Sequence, residues 1–126
     1  MNADLDINKV TELVIGCAYR VGSALGSGFL EKVYENALIV ELRKANMPFS
    51  QQHAMKVMYS GEVVGDYIAD ILVAGYVIVE IKALHRIEKI HMAQCLNYLR
   101  ALNLRIGLLI NFGAPSVEIK RIVNGL

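Results

Sequence analysis

The chain has 126 residues, 13 basic against 12 acidic side chains for a formal net charge of +1, and 55% hydrophobic residues. That length holds one core rather than two, so a single domain over residues 1–126 is expected. The balanced charge excludes a global basic field for capturing nucleic acid, and the modest apolar excess tilts the expectation toward a homodimer.

From Ile7, the positions Val10, Leu13, Val14, Cys17, Ala18, Val21 and Leu25 recur at helical spacing, with Asp6 as N-cap. This predicts a helix ending near Gly22–Leu25. Gly26-Ser27-Gly28 breaks the chain. A second helix carries Leu30, Val33, Tyr34, Ala37, Leu38 and Leu42 and is stopped by Asn46 and Pro48. Alternation around Ala54–Tyr59, a Ser60-Gly61 turn, and apolar runs over Val63–Val73 and Tyr76–Ala83 predict a three-stranded antiparallel meander. A third helix over Ile87–Leu102, a strand at Arg105–Phe112 and a short element at Val117–Val123 complete the order ααβββαββ. The fold class is α+β, a mixed α/β sandwich of one sheet with covering helices.

No stretch reaches the roughly 18–20 apolar residues of a membrane span, because Asp70, Glu80 and Lys82 interrupt the longest run. The opening MNADLDINK is acidic where a leader would be basic. Cys17 and Cys95 lie inside helical patterns without zinc-site spacing and read as small buried hydrophobes of a reducing compartment. A cytoplasmic protein without membrane contact is expected. Lys82, His85, Arg86, Lys89 and His91 form a local basic cluster opposed by Glu88, which a solvated helix entry accounts for.

The charges inside the meander need a reason. In YVIVEIK, Val77, Val79 and Ile81 face one way and Tyr76, Ile78, Glu80 and Lys82 the other, as in a central strand covered on both sides. A two-residue loop at Ala74-Gly75 would set Asp70 opposite Val79. A three-residue loop, Ala74-Gly75-Tyr76, would set it opposite Glu80. In the second register two carboxylates meet, and a buried meeting needs positive charge. Lys82 can neutralise one; a divalent cation of the Mg²⁺ or Mn²⁺ type accommodates both.

Asp70 followed by Glu80-Ile81-Lys82 resembles the D…(D/E)xK signature of the PD-(D/E)xK nuclease superfamily. Gly28-Phe29-Leu30-Glu31-Lys32-Val33-Tyr34 is similar to the G-x-x-E-x-x-Y pattern of the GxxExxY proteins, a small branch of it. With Gln94, Tyr98 and the ending GLLINFGAPSVEIKRIVN, the likeness runs from Ile7 to Asn124. The resemblance implies a restriction-endonuclease-like core and a nuclease that hydrolyses phosphodiester bonds by attack of a metal-bound water, on DNA in preference to RNA. It implies that Asp70, Glu80 and the carbonyl of Ile81 hold Mg²⁺ or Mn²⁺, while Lys82 positions the water or steadies the phosphate.

The same resemblance makes Glu31 a further candidate carboxylate, with Glu35 one turn later, and Gln94 and Tyr98 a Q-x-x-x-Y element facing the site, His91 lying a turn before. Without it, Glu31 would be the N3 residue of a helix capped by Gly28, Tyr34 a core residue whose hydroxyl reaches toward substrate, and Glu35 a solvated helix residue. The expected geometry has the Asp70 and Glu80 carboxylates converging, Lys82 close by, and Gln94 in the same pocket. Ala69 stands where the superfamily name has proline, and Ile68 where the small family more often has arginine. A catalytically inactive nucleic-acid-binding module, or a structural module, on the same fold is the competing reading.

Overall fold

The computed structural model describes residues 6–125; the acidic opening through Asp4 lies outside them. The element order is α1 (Ile7–Leu25), α2 (Glu31–Lys44), β1 (Phe49–Tyr59), β2 (Glu62–Val73), β3 (Val77–Lys82), α3 (Lys89–Leu102), β4 (Ile106–Asn111) and β5 (Glu118–Val123). The boundaries have local causes. Asp6 accepts the Asn8 N–H at 2.9 Å to open α1, and Gly26, at φ 69°, closes it by donating to the Gly22 carbonyl at 2.9 Å. Left-handed Asn46 and Asn103 stand just beyond α2 and α3.

The five strands form one sheet in chain order, antiparallel at every pairing except β3 with β4, which α3 connects in parallel. The two faces are covered by different helices. Ile71, Val73, Val77, Val79, Ile81, Leu108 and Ile110 pack with the buried stripes of α1 and α2, including Val14, Cys17, Tyr34 and Leu38. Ala69, Leu72, Ile78 and Leu109 pack with Cys95 and Leu99 of α3. Burying a branched aliphatic side chain this completely contributes about 1.5–3 kcal/mol. The two-sided cover therefore explains why β3 and β4 are apolar on both faces. This is the α+β architecture and element order expected from the sequence. The largest boundary difference is at β1, which begins at Phe49, five residues before the expected start.

The meander is uneven. β1 and β2 pair along nearly their whole length, across a bulge at Val57/Met58 and a two-residue turn at Ser60-Gly61, both with positive φ. β2 and β3 pair only over Ile71–Val73 and Val77–Val79. The β1–β2 ribbon thus extends away from the sheet, and the polar residues of β2 and β3 lie where the strands part.

Candidate active site where the central strands part

Val73 pairs with Val77, Leu72 with Ile78 and Ile71 with Val79, so Asp70 stands opposite Glu80, the register of the three-residue loop. Ala74 and Gly75 take φ of 56° and 82°, and the Tyr76 N–H closes the turn on the Val73 carbonyl at 3.1 Å. Beyond Ile71 the side chains replace the ladder. The Ile81 N–H donates to Asp70 Oδ2 at 2.8 Å, and the Asp70 N–H donates to Glu80 Oε2 at 3.2 Å. Each carboxylate satisfies a backbone donor that the diverging strands leave without a strand partner.

Although the register matches, the side chains line different pockets, so the expected convergence of the Asp70 and Glu80 carboxylates in one pocket is not found. Ala69 and Leu72 both pack on the α3 side, and Ile71 and Val73 on the α1–α2 side, so alternation breaks at Asp70. Facing it across the ribbon, Gln52 is left-handed at φ 51°, and strand pairing skips both residues. Asp70 consequently lines a pocket of about 590 Å³ with Glu31, Glu35, Gln52 and the Phe29–Leu30 loop. Glu80 lines one of about 180 Å³ with Tyr67, Lys82, His91, Gln94 and Tyr98. Gln94 therefore shares its pocket with Glu80 and Lys82 rather than with Asp70.

In the Asp70 pocket the helix-borne carboxylate that is built in is Glu35. It is 3% exposed, pairs with Lys32 Nζ at 3.1 Å, and accepts from Gln51 Nε2 at 2.6 Å and from Gln52 Nε2 at 3.1 and 3.2 Å. Gln52 Nε2 also reaches Asp70 Oδ1 at 3.4 Å. The expectation of a solvated Glu35 is thus overturned: α2 turns this residue inward against the glutamines of β1. The N-cap of α2 is Leu30 and not Gly28. Glu31 is therefore the first helical residue, an exposed carboxylate at the pocket mouth where the helix dipole favours it. Tyr34 is fully buried. Its hydroxyl donates to the Gly26 carbonyl at 2.6 Å and accepts the Phe29 N–H at 3.2 Å, which places it under the loop and not in the pocket.

On the other side, the Tyr67 hydroxyl donates to Glu80 Oε2 at 2.6 Å, and its ring stacks on Tyr98 at 3.8 Å. Burial, then the nearby Asp70 charge, push the Glu80 carboxyl up to about 7, against the Tyr67 bond and Lys82. Burial also raises Asp70, opposed by the Ile81 N–H and reinforced by Glu35. Burial pushes the Cys95 thiol up to about 12, so it remains a protonated lining group. His91 accepts the Glu88 N–H on Nδ1 at 2.9 Å and helps cap α3 while lining the pocket. Neither Tyr67 nor Gln52 stands out in the sequence. Glu35 carried one signal, its place on the same helix face as Glu31 and Tyr34.

The connection from Lys82 into α3 is also fixed. Asn111, fully buried at the end of β4, accepts the Leu84 and Gly113 N–H groups at 2.8 and 3.0 Å and donates to the Leu84 carbonyl at 3.0 Å and Glu118 Oε1 at 3.1 Å. Glu118 Oε1 accepts the Ile87 N–H at 2.9 Å. Gly113 is a glycine by necessity, since a Cβ there would lie 2.5 Å from the Leu84 backbone nitrogen and oxygen.

Would these residues suit a cation? The candidate donors are hard oxygens: the Asp70 and Glu80 carboxylates, which line separate pockets, and the Ile81 carbonyl. Among the described residues no group of three or more His, Cys, Asp or Glu side chains is placed to hold a metal alone. A small hard cation that keeps several waters and takes one or two carboxylates fits that donor set. Two carboxyls raised by burial are also groups that a cation would discharge.

Comparison with known proteins agrees with this fold. The profile of the PD-(D/E)XK nuclease superfamily matches residues 8–122. Among curated proteins none matches the chain in sequence. Among solved structures, the crystal structure of SSO0001 superposes with a TM-score of 0.56 at 20% identity, covering 94% of this chain. The chain spans 60% of that protein's length, and the likeness concerns the fold. Among the described residues no helix is long and apolar enough to cross a membrane. With a profile match over nearly all of its length and this strand arrangement, the chain belongs to the PD-(D/E)XK nuclease superfamily.

Proposed function

We propose that the protein is a metal-dependent nuclease of the GxxExxY branch that hydrolyses phosphodiester bonds in nucleic acid, DNA rather than RNA. The observation that carries this reading is the Asp70–Glu80 register at the parting strands, with Lys82 in the Glu80 pocket. Asp70, Glu80 and the Ile81 carbonyl would hold Mg²⁺ or Mn²⁺. When bound, that ion supplies positive charge against the developing phosphate anion and acidifies water.

The protein groups have separate tasks. Tyr67 holds the Glu80 carboxylate and Gln52 steadies Asp70 beside Glu35. Lys82 places an ammonium beside the phosphate or the attacking water, where charge grows as the bond from water to phosphorus forms and the bond to the leaving sugar oxygen breaks. Gln94 and Tyr98 border the same space for the substrate backbone, and His91 lines it with them; Glu31 is a peripheral carboxylate at the Asp70 mouth. The buried free thiols of Cys17 and Cys95 support a reducing, cytoplasmic setting.

Cleavage assays on single-stranded, duplex and branched DNA with Mg²⁺ or Mn²⁺ test the reading. Wild-type protein is expected to cleave at least one of them, with Asp70→Asn and Lys82→Ala reducing the rate roughly 10²–10³-fold. The near-neutral charge favours a second reading, a non-catalytic nucleic-acid-binding module. Binding without cleavage on all substrates would establish that alternative and remove the first.

A homodimer is part of the proposal. Met58, Tyr59, Val63, Val64 and Ile68 of the protruding ribbon are each more than half exposed, and apolar side chains gathered this way favour self-association. Light scattering across a concentration series should give twice the chain mass, and Tyr59→Ser combined with Val64→Ser should give the single mass. A wild-type chain that stays monomeric at high concentration would refute the dimer.

A further inference from the structure

The rim of the Asp70 pocket is apolar although the pocket itself is acidic. Phe29 is 47% exposed and Leu30 79%, and both line the space that holds Asp70, Glu31 and Glu35. Exposed loop residues of this size are ordinarily mobile, but this loop is braced. The Tyr34 hydroxyl ties Gly26 to Phe29, and the Tyr34 ring meets Phe29 edge-on at 6.0 Å and stacks flat on Phe112 at 4.6 Å. Phe29 and Leu30 are thus held out from a buried anchor, and the ordering entropy of presenting them is already spent.

The charges on this side say what such a rim can recognise. Lys32, a cation lining this pocket, is paired with Glu35, which leaves phosphate attraction weak beside three carboxylates. A duplex presents mainly phosphates and stacked, inaccessible base faces to such a rim. Unpaired bases present faces that stack on aromatic side chains without sequence preference. Building on the proposed nuclease reading, we infer that Phe29 and Leu30 are the substrate-selecting residues, with Phe29 stacking on an unpaired base to deliver a single-stranded or locally unpaired segment to the carboxylates. Phe29 binds and selects; it takes no part in the bond chemistry.

The chain contains no tryptophan, so Phe29→Trp introduces a lone indole at the rim, with Tyr59→Trp on the ribbon as the control. With Ca²⁺ replacing Mg²⁺ to keep strands intact, a 15-residue oligothymidylate should quench the Phe29→Trp emission, a blunt duplex should quench it much less, and the control should not respond. Phe29→Ala should weaken oligothymidylate binding about tenfold or more, Phe29→Tyr should restore it, and circular dichroism should show all variants folded. Equal quenching by blunt duplex would overturn the inference. So would unchanged oligothymidylate binding by Phe29→Ala, or quenching that follows protein concentration without nucleic acid and marks the rim as covered by a second copy. A Phe29→Ala enzyme that cleaves single strands like wild type would sink this inference and leave the nuclease reading intact. Absence of cation binding and cleavage in the wild type would sink both.

Discussion

Glu80→Gln is expected to abolish metal-dependent cleavage and, in the metal-free protein, to make the fold more stable above pH 7. The two effects share one cause. A carboxyl pushed up to about 7 from an ordinary value near 4.5 binds its proton more tightly in the folded chain than in the unfolded one. Its contribution is therefore fully present below pH 4.5 and is lost as pH rises through 7. A shift of that size corresponds to roughly 3 kcal/mol; partial solvent access reduces this to about 2 kcal/mol. Glutamine keeps an oxygen that can accept from the Tyr67 hydroxyl and the Asp70 N–H but cannot ionise. Thermal melts in chelator at pH 8 should place the variant roughly 5–10 °C above wild type, with the gap closing by pH 5. Added Mg²⁺ should stabilise wild type at pH 8 and not the variant. Equal melts at pH 8 would mean that the Glu80 charge carries no cost in the folded protein.

Asn111→Ala should be the most destabilising polar substitution, by about 3 kcal/mol, because it strips partners from several buried groups at once. The Leu84 N–H and carbonyl, the Gly113 N–H and Glu118 Oε1 all lose a bond, and each unsatisfied buried group costs about 1–3 kcal/mol, lessened here where water can enter. The same residue fixes the chain between Lys82 and α3, so cleavage should fall even at temperatures where the variant is folded. Urea unfolding checks the stability and single-turnover kinetics the placement. A loss under about 1 kcal/mol would show that the loop is held by other means.

These residues differ in how visible they are in the sequence. Helices and strands followed from apolar periodicity, since each covered face repeats at its own spacing, and the antiparallel meander followed from its turns. Parity reduced the meeting of Asp70 and Glu80 to the length of one loop, and the structure has the odd length. What parity could not foresee was the left-handed Gln52 and the broken alternation at Asp70, which direct the two carboxylates into neighbouring pockets. Both are single-residue backbone choices made by tertiary packing, and no local composition signals them. Glu35 was read as solvated because a glutamate on a helix usually is. Its burial depends on Lys32 of its own helix and on Gln51 and Gln52, glutamines of β1 that lie before the start expected for that strand. Asn111 ends an apolar strand and does not stand out in the sequence, because its bonds cross 27 residues of sequence to Leu84.

The most direct test of the central claim, that the parting of β2 and β3 builds a cation site, is calorimetric titration of the folded protein with Mn²⁺. Wild type is expected to show saturable binding that is lost in Asp70→Asn and Glu80→Gln and retained in Phe29→Ala. A folded wild type that takes up no Mn²⁺, or binding that survives both carboxylate substitutions, would contradict it.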